Sequence, residues 1–177
     1  MGRLVTAIPT FTALRIFTAR YTIRDARRFD ITRSACDKAV RAGRAAPGEP
    51  FAPSRDLVYP AKAWSANAAA IAATPGAEDL AARLDRALGE AYALAYRAEM
   101  RVSLGHLPEA RYGALERLAA NRGVRRQPAA WIALLSGELA GPEVVAVCFC
   151  PERDGCHRGL FAELLVAMGA TDGGEIR

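Results

Sequence analysis

A chain of 177 residues that is 51% hydrophobic and 24% charged has the composition of one globular domain with a real core, which excludes a disordered or fibrous protein. No apolar run reaches the roughly 20 residues needed for a membrane-spanning helix, and a net charge of +5 is too small an excess to establish a nucleic-acid binder by itself. Arg3 precedes an apolar stretch, but Pro9 and several threonines interrupt it and no A-x-A site follows, so a cytoplasmic location is expected, and with it four cysteines kept as thiols rather than as a disulfide framework.

In chain order, Ile16–Tyr21 alternates β-branched and aromatic residues and predicts a strand, and Arg28–Arg33 predicts a second, shorter one. Residues 35–53, rich in Gly, Pro and charge, predict a long loop. Ser54 is a candidate N-cap for a helix to about Ala70, which Pro75-Gly76 separates from the next element. From Ala77 to Leu104, Leu80, Leu84, Leu88, Tyr92, Tyr96 and Met100 recur at spacings of three and four and predict a long amphipathic helix. Gly105–Pro108 ends it. A further amphipathic segment over 109–120 and a short helix after Pro128, holding Trp131, Leu134 and Leu135, complete a helical middle. Val144–Cys150 is apolar on both faces, as a central parallel strand must be, and a helix from about Gly155 to Met168 ends at Gly169. The fold class expected is α/β: a single domain over 1–177, built on a small Rossmann-like parallel sheet flanked by helices.

Three of the four cysteines and one of the two histidines fall within residues 148–157, across a strand, a turn and a helix start. Open parallel sheets bind ligands outside the carboxyl ends of their strands, and a helix start offers free N–H groups and the positive end of a macrodipole to an anion. With Asp154 as N-cap, Cys156 and His157 take the second and third helical positions at the head of the apolar stripe Leu160, Phe161, Leu164 and Leu165. Cys156 is then a candidate thiolate, His157 a candidate acid–base or ligand-contacting group, and Arg158 a candidate anion contact. Zinc is the alternative, with Cys148, Cys150, Cys156 and His157 as its ligands. It is set second because C-x-C-x5-C-H is not a usual paired spacing and because Cys148 and Cys150 are expected on one strand face. No Walker loop, no G-x-G-x-x-G and no cysteine-phosphatase loop is present.

Several blocks in order resemble a known family: Phe17-Thr18-Ala19-Arg20, Asp30-Ile31-Thr32-Arg33, Phe51-Ala52-Pro53-Ser54, Tyr92 and Tyr96 followed by Glu99-Met100-Arg101 and Ser103, Trp131 with Leu134-Leu135, and Cys148-Phe149-Cys150 followed by Cys156-His157-Arg158. Together they are similar to the small bacterial and phage family catalogued as domain of unknown function 488. The resemblance departs at Arg55, where an aromatic is usual, and over residues 105–130, which it implies to be a helical insertion. It implies a Rossmann-like, intracellular protein and one composite site in which Asp30, Arg33, Ser54, Glu99 and Arg101 join Cys156, His157 and Arg158. It brings no known reaction.

Three functions are consistent with these residues. The first is binding of a nucleotide or nucleic acid, with Arg33, Arg101 and Arg158 clamping phosphate. The second is an enzyme acting on a phosphorylated or nucleotide-derived small molecule, with His157 as acid–base and Cys156 as nucleophile. The third is a protein-interaction module using the Arg-rich segment 117–126. Against the clamp stands a buried ion network in which Asp30 and Glu99 pair with Arg33 and Arg101.

Overall fold

The computed structural model describes residues 14–20, 22–23, 27–31, 46–47, 49–150, 153 and 155–177. Five strands, β1 (Arg15–Arg20), β2 (Arg28–Asp30), β3 (Ala46–Pro47), β4 (Glu143–Cys148) and β5 (Thr171–Ile176), form one sheet in the order β3-β2-β4-β1-β5. Every pairing is parallel. β4 returns from the helical middle into the centre of the sheet, between β2 and β1. The residues Val144, Val145, Ala146 and Val147 are all fully buried, which explains the unbroken apolar run.

The helices are α1 (Arg55–Ala72), α2 (Glu78–Leu104), α3 (Ala114–Asn121), α4 (Pro128–Leu135) and α5 (His157–Ala167). The main core lies on one face of the sheet, where Ile16, Phe29, Ile31, Val144 and Ala146 meet Tyr96 and Met100 of α2, Trp131 and Leu134 of α4, and Phe161 and Leu165 of α5. Alternation along β4 turns Val145 and Val147 to the opposite face, into a smaller cluster with Ala19, Phe17, Ile23 and Ile176. Among the described residues no helix is long and apolar enough to cross a membrane.

The structure amends the sequence reading at several points. Within the segment expected to be loop, Ala46–Pro47 pairs with β2 and Glu49–Phe51 forms a 3-10 turn. That turn drives Phe51 into the core against Trp131, Phe161 and Phe29, at ring centroid distances of 4.9, 5.3 and 5.5 Å. β5 was not expected. Its sequence, Thr-Asp-Gly-Gly-Glu-Ile, has two glycines and no apolar alternation, yet both glycines are required. A Cβ on Gly173 would lie 2.4 Å from the Phe17 ring, and Gly174 takes φ +83° beside the register shift between Ile16 and Phe17.

The long stripe on α2 is buried only in its last two turns. Tyr96 and Met100 reach the core, whereas Leu80 remains 47% exposed. Segment 105–130 holds a 3-10 turn (Glu109–Arg111), α3 and the start of α4. It packs beside the C-terminal part of α2 through Val102, Tyr112 and Ala119.

Candidate metal centre

β4 ends at Cys148, short of the strand through Cys150 that the apolar run suggests. Phe149 and Cys150 leave the sheet in a bend, so Cys148 and Cys150 do not share a strand face. The chain then returns at α5, whose N-cap is Cys156 (φ −82°, ψ 146°) and whose first residue is His157. This start is later than expected. The expected N-cap, Asp154, lies outside the described residues. Because Cys148 points to the helical side of the sheet and the bend folds Cys150 back, the strand end and helix start face each other.

The consequence is a tight group of four. One ligand-type atom from each of Cys148, Cys150, Cys156 and His157 lies within 4.8 Å of every other. The Cys148 and Cys150 sulfurs are 3.4 Å apart, too far for a disulfide bond near 2.05 Å. Nδ1 of His157 is 3.6 Å from Cys148 Sγ and 3.9 Å from Cys156 Sγ. All three cysteines are free, with Cys148 and Cys156 buried and Cys150 partly exposed; Cys36 lies outside the described residues. The strand-face argument against a metal therefore fails, because it assumed a strand running through Cys150. These four residues can hold a metal ion.

Electrostatics divides the thiols. Hydrogen bonds from Cys148 and Cys156 favour the Cys150 thiolate and hold its pKa far below the usual thiol value, against the opposing effect of burial. The bond to Cys150, with burial, pushes Cys148 up to about 11 against the opposing bond with Cys156, and bonds to Cys148 and Cys150, with burial, push Cys156 higher still. Burial lowers the His157 pKa from 6.5 to about 4, against the pull of Cys150 and the Ile31 backbone, so the imidazole is neutral at pH 7. The Ile31 backbone falls short of a formed hydrogen bond, since His157 Nε2 is buried without a partner among the described residues.

Neighbouring groups fix this geometry. The Tyr96 ring lies 6.1 Å from the His157 ring, and its hydroxyl donates to the Phe51 carbonyl at 2.8 Å. Burial raises the Tyr96 pKa well above 10, so the phenol keeps that proton. Arg158 is 0% exposed. Its Nη1 donates to the Cys150 carbonyl at 2.6 Å and its Nη2 to Glu175 of β5, also at 2.6 Å. The guanidinium ties the Cys150 bend to the sheet edge.

The remaining expected site residues are placed elsewhere. Arg101 pairs with Glu116 at 2.6 Å. Glu99, 1% exposed, accepts from the Ser54 hydroxyl and, at 2.8 Å, from the Ser54 backbone N–H. The Glu99–Arg101 pairing expected for a buried ion network is thus replaced by Ser54–Glu99 and Arg101–Glu116. The side chain of Asp30 and all of Arg33 lie outside the described residues. Glu116, Glu175 and Tyr96 were missed as partners of the site residues. Gly169-Ala170 and Gly174-Glu175 also fit the tail of the family resemblance, but the strand that bears Glu175 has no apolar alternation to reveal it as a strand or Glu175 as a partner of Arg158. Comparison with family models, with curated proteins and with solved structures returns no match, so the chemistry of the centre is read from its own geometry.

Proposed function

We propose that the protein is a zinc-binding α/β protein, with the thiolates of Cys148, Cys150 and Cys156 and Nδ1 of neutral His157 as the four ligands of one Zn²⁺. The observation that carries this reading is the mutual distance of the donor atoms. Tetrahedral zinc with Zn–S near 2.3 Å and Zn–N near 2.0–2.1 Å requires donor atoms roughly 3.5–3.8 Å apart; three of the six pairs lie at 3.4, 3.6 and 3.9 Å, and all lie within 4.8 Å. Three soft thiolates with one imidazole suit zinc over calcium or magnesium, which take oxygen ligands.

Four protein ligands leave no open coordination position, so the centre is structural rather than catalytic. It fastens the end of β4 to the start of α5, the connection on which the C-terminal third of the fold depends. In this reading Cys156 and His157 serve as ligands, not as nucleophile and acid–base. Elemental analysis of protein purified from zinc-supplemented medium tests it. About one zinc per chain is expected, and Cys150→Ser or Cys156→Ser should bring retention well below that after dialysis against a chelator. Purified protein with no bound metal, showing no thiolate-to-Co²⁺ absorption on cobalt titration, would overturn the reading.

A further inference from the structure

We propose that the cavity between the start of α1 and the loop joining α3 to α4 binds a phosphate monoester of nucleotide size. The cavity has a volume of about 680 Å³ and is lined by Ser54, Arg55, Glu99, Arg122, Arg125 and Gln127, among others. It includes none of the four proposed zinc ligands. Ligand pockets of roughly 300–1,000 Å³ accept drug- and nucleotide-sized molecules.

Its charge is the first reason for a phosphate. Arg55, Arg122, Arg125 and Arg126 line it against only two carboxylates, Asp56 and Glu99. Elsewhere in the fold Arg97, Arg101, Arg153 and Arg158 each have an acidic partner. Among the described residues Arg55, Arg122 and Arg125 have none. Like charges gathered round one cavity repel, and a guanidinium fork matches phosphate geometry. Arg126 instead holds the loop in place, donating through Nη2 to the carbonyls of Gly105 and Leu107 at 2.7 and 3.1 Å.

The start of α1 is the second reason. Ser54 has N-cap backbone geometry (φ −61°, ψ 156°) but makes no side-chain cap, because its hydroxyl is turned to Glu99. The first N–H groups of an 18-residue helix are thus left without the usual side-chain acceptor, beside the arginine cluster. Glu99 has a second effect. It lines the cavity wall, and its lone pairs not engaged by Ser54 suit hydroxyl or amino groups rather than a second phosphate. A monoester on a sugar or nucleoside fits that pattern better than a polyphosphate.

The test is a titration of the purified 177-residue chain followed by amide resonances. The probes are adenosine 5′-monophosphate, ribose 5-phosphate, adenosine and a ten-nucleotide single-stranded DNA. Either phosphate ester should shift the Arg55, Gly123 and Val124 amides and saturate at millimolar concentration or below, while adenosine should not. Arg122→Ala/Arg125→Ala, at solvent-facing positions, should weaken binding by about tenfold or more at unchanged melting temperature. Arg55→Gln provides a second variant with the same expectation in a different element. The proposal is overturned if neither ester shifts these amides at about 10 mM, if adenosine shifts them equally, or if all variants bind as tightly as the parent. It is also overturned if the DNA binds about a hundredfold more tightly than the mononucleotide, since an extended nucleic-acid surface would then be the binding element.

Discussion

Gly159 sits in the first turn of α5, where a Cβ would lie 2.4 Å from the carbonyl oxygen of Arg153. That carbonyl accepts the Cys156 N–H at 3.2 Å, so the close approach sets the bend that delivers Cys156 to the other thiols. Backbone cannot yield as a flexible side chain can. Gly159→Ala should therefore cost about 1–3 kcal/mol, readable by denaturant melts, and, if the proposed zinc is bound, hasten its loss to a chelator, readable by a metal indicator. Gly89 gives the opposite expectation. It lies inside α2, where an added Cβ would meet nothing within 4 Å, so Gly89→Ala should stabilise by about 0.5–1 kcal/mol through helix propensity alone. Equal effects at the two glycines would mean that the Arg153 contact does not constrain the bend. Arg158 gives a third case. Glu175→Gln removes the carboxylate from a guanidinium that is 0% exposed and should destabilise by about 2–4 kcal/mol. Arg158→Met should then be milder than its burial suggests, because it removes the buried charge and leaves unpaired only Glu175, whose side chain is 23% exposed and can be hydrated.

At the scale of elements, the start of α3 shows how a single carboxylate does two tasks. Glu116 stands three residues after the N-cap Gly113. Burial opposes its charge, but its own backbone N–H, the Arg101 guanidinium and the Gly113 N–H together outweigh it and hold the pKa below the ordinary 4.5. This is the returning half of a capping box. A depressed carboxylate pKa contributes stability that is fully present above the unfolded value and is lost as pH falls through the folded one. Glu116→Gln should thus destabilise by about 1 kcal/mol at pH 7, with the gap to the parent narrowing in urea melts as pH falls below about 4.5. A gap that stays constant with pH would show that the charge contributes nothing.

The same scale explains what could be read in advance. β4, α2 and α5 carry strong periodicity because each meets the core on a wide front, and their types follow from pattern alone. β5 is held by backbone pairing and by two glycines under Phe17, neither of which leaves a hydrophobic signature. The chemistry of the Cys148–His157 segment was visible in its residue types. Its convergence was not, because that depends on β4 ending at Cys148, and a strand end is fixed by the loop beyond it rather than by the strand's own residues.

Across the whole molecule, burial is unevenly shared. α1 is 18 residues long yet buries only Leu57 and Ala68, and α2 buries only Ala81 before Tyr96. Trp64 on α1 and Leu94 on α2 are 51% and 53% exposed. The two helices pack along each other, and Phe51, Leu57, Tyr96 and Met100 join their common end to the main core. Most of each helix is thus supported by its neighbour rather than by the sheet. A helical pair with so few buried side chains stabilises itself weakly, since helices this long depend on a packed apolar face more than on propensity. Opening the pair over residues 58–94 exposes little apolar surface, whereas opening β1, β4 or α5 breaks the core itself. Native-state hydrogen exchange should therefore show two classes. Amides of α1 and of the first four turns of α2 should exchange through a partial opening, with protection well below the global value. Those of β1, β4 and the second half of α5 should exchange only on complete unfolding. If the centre holds the proposed zinc, removing it should lower protection in the second class first, because the four cysteine and histidine ligands lie between β4 and α5. A single protection level across both classes would mean that the helical pair folds as one unit with the sheet.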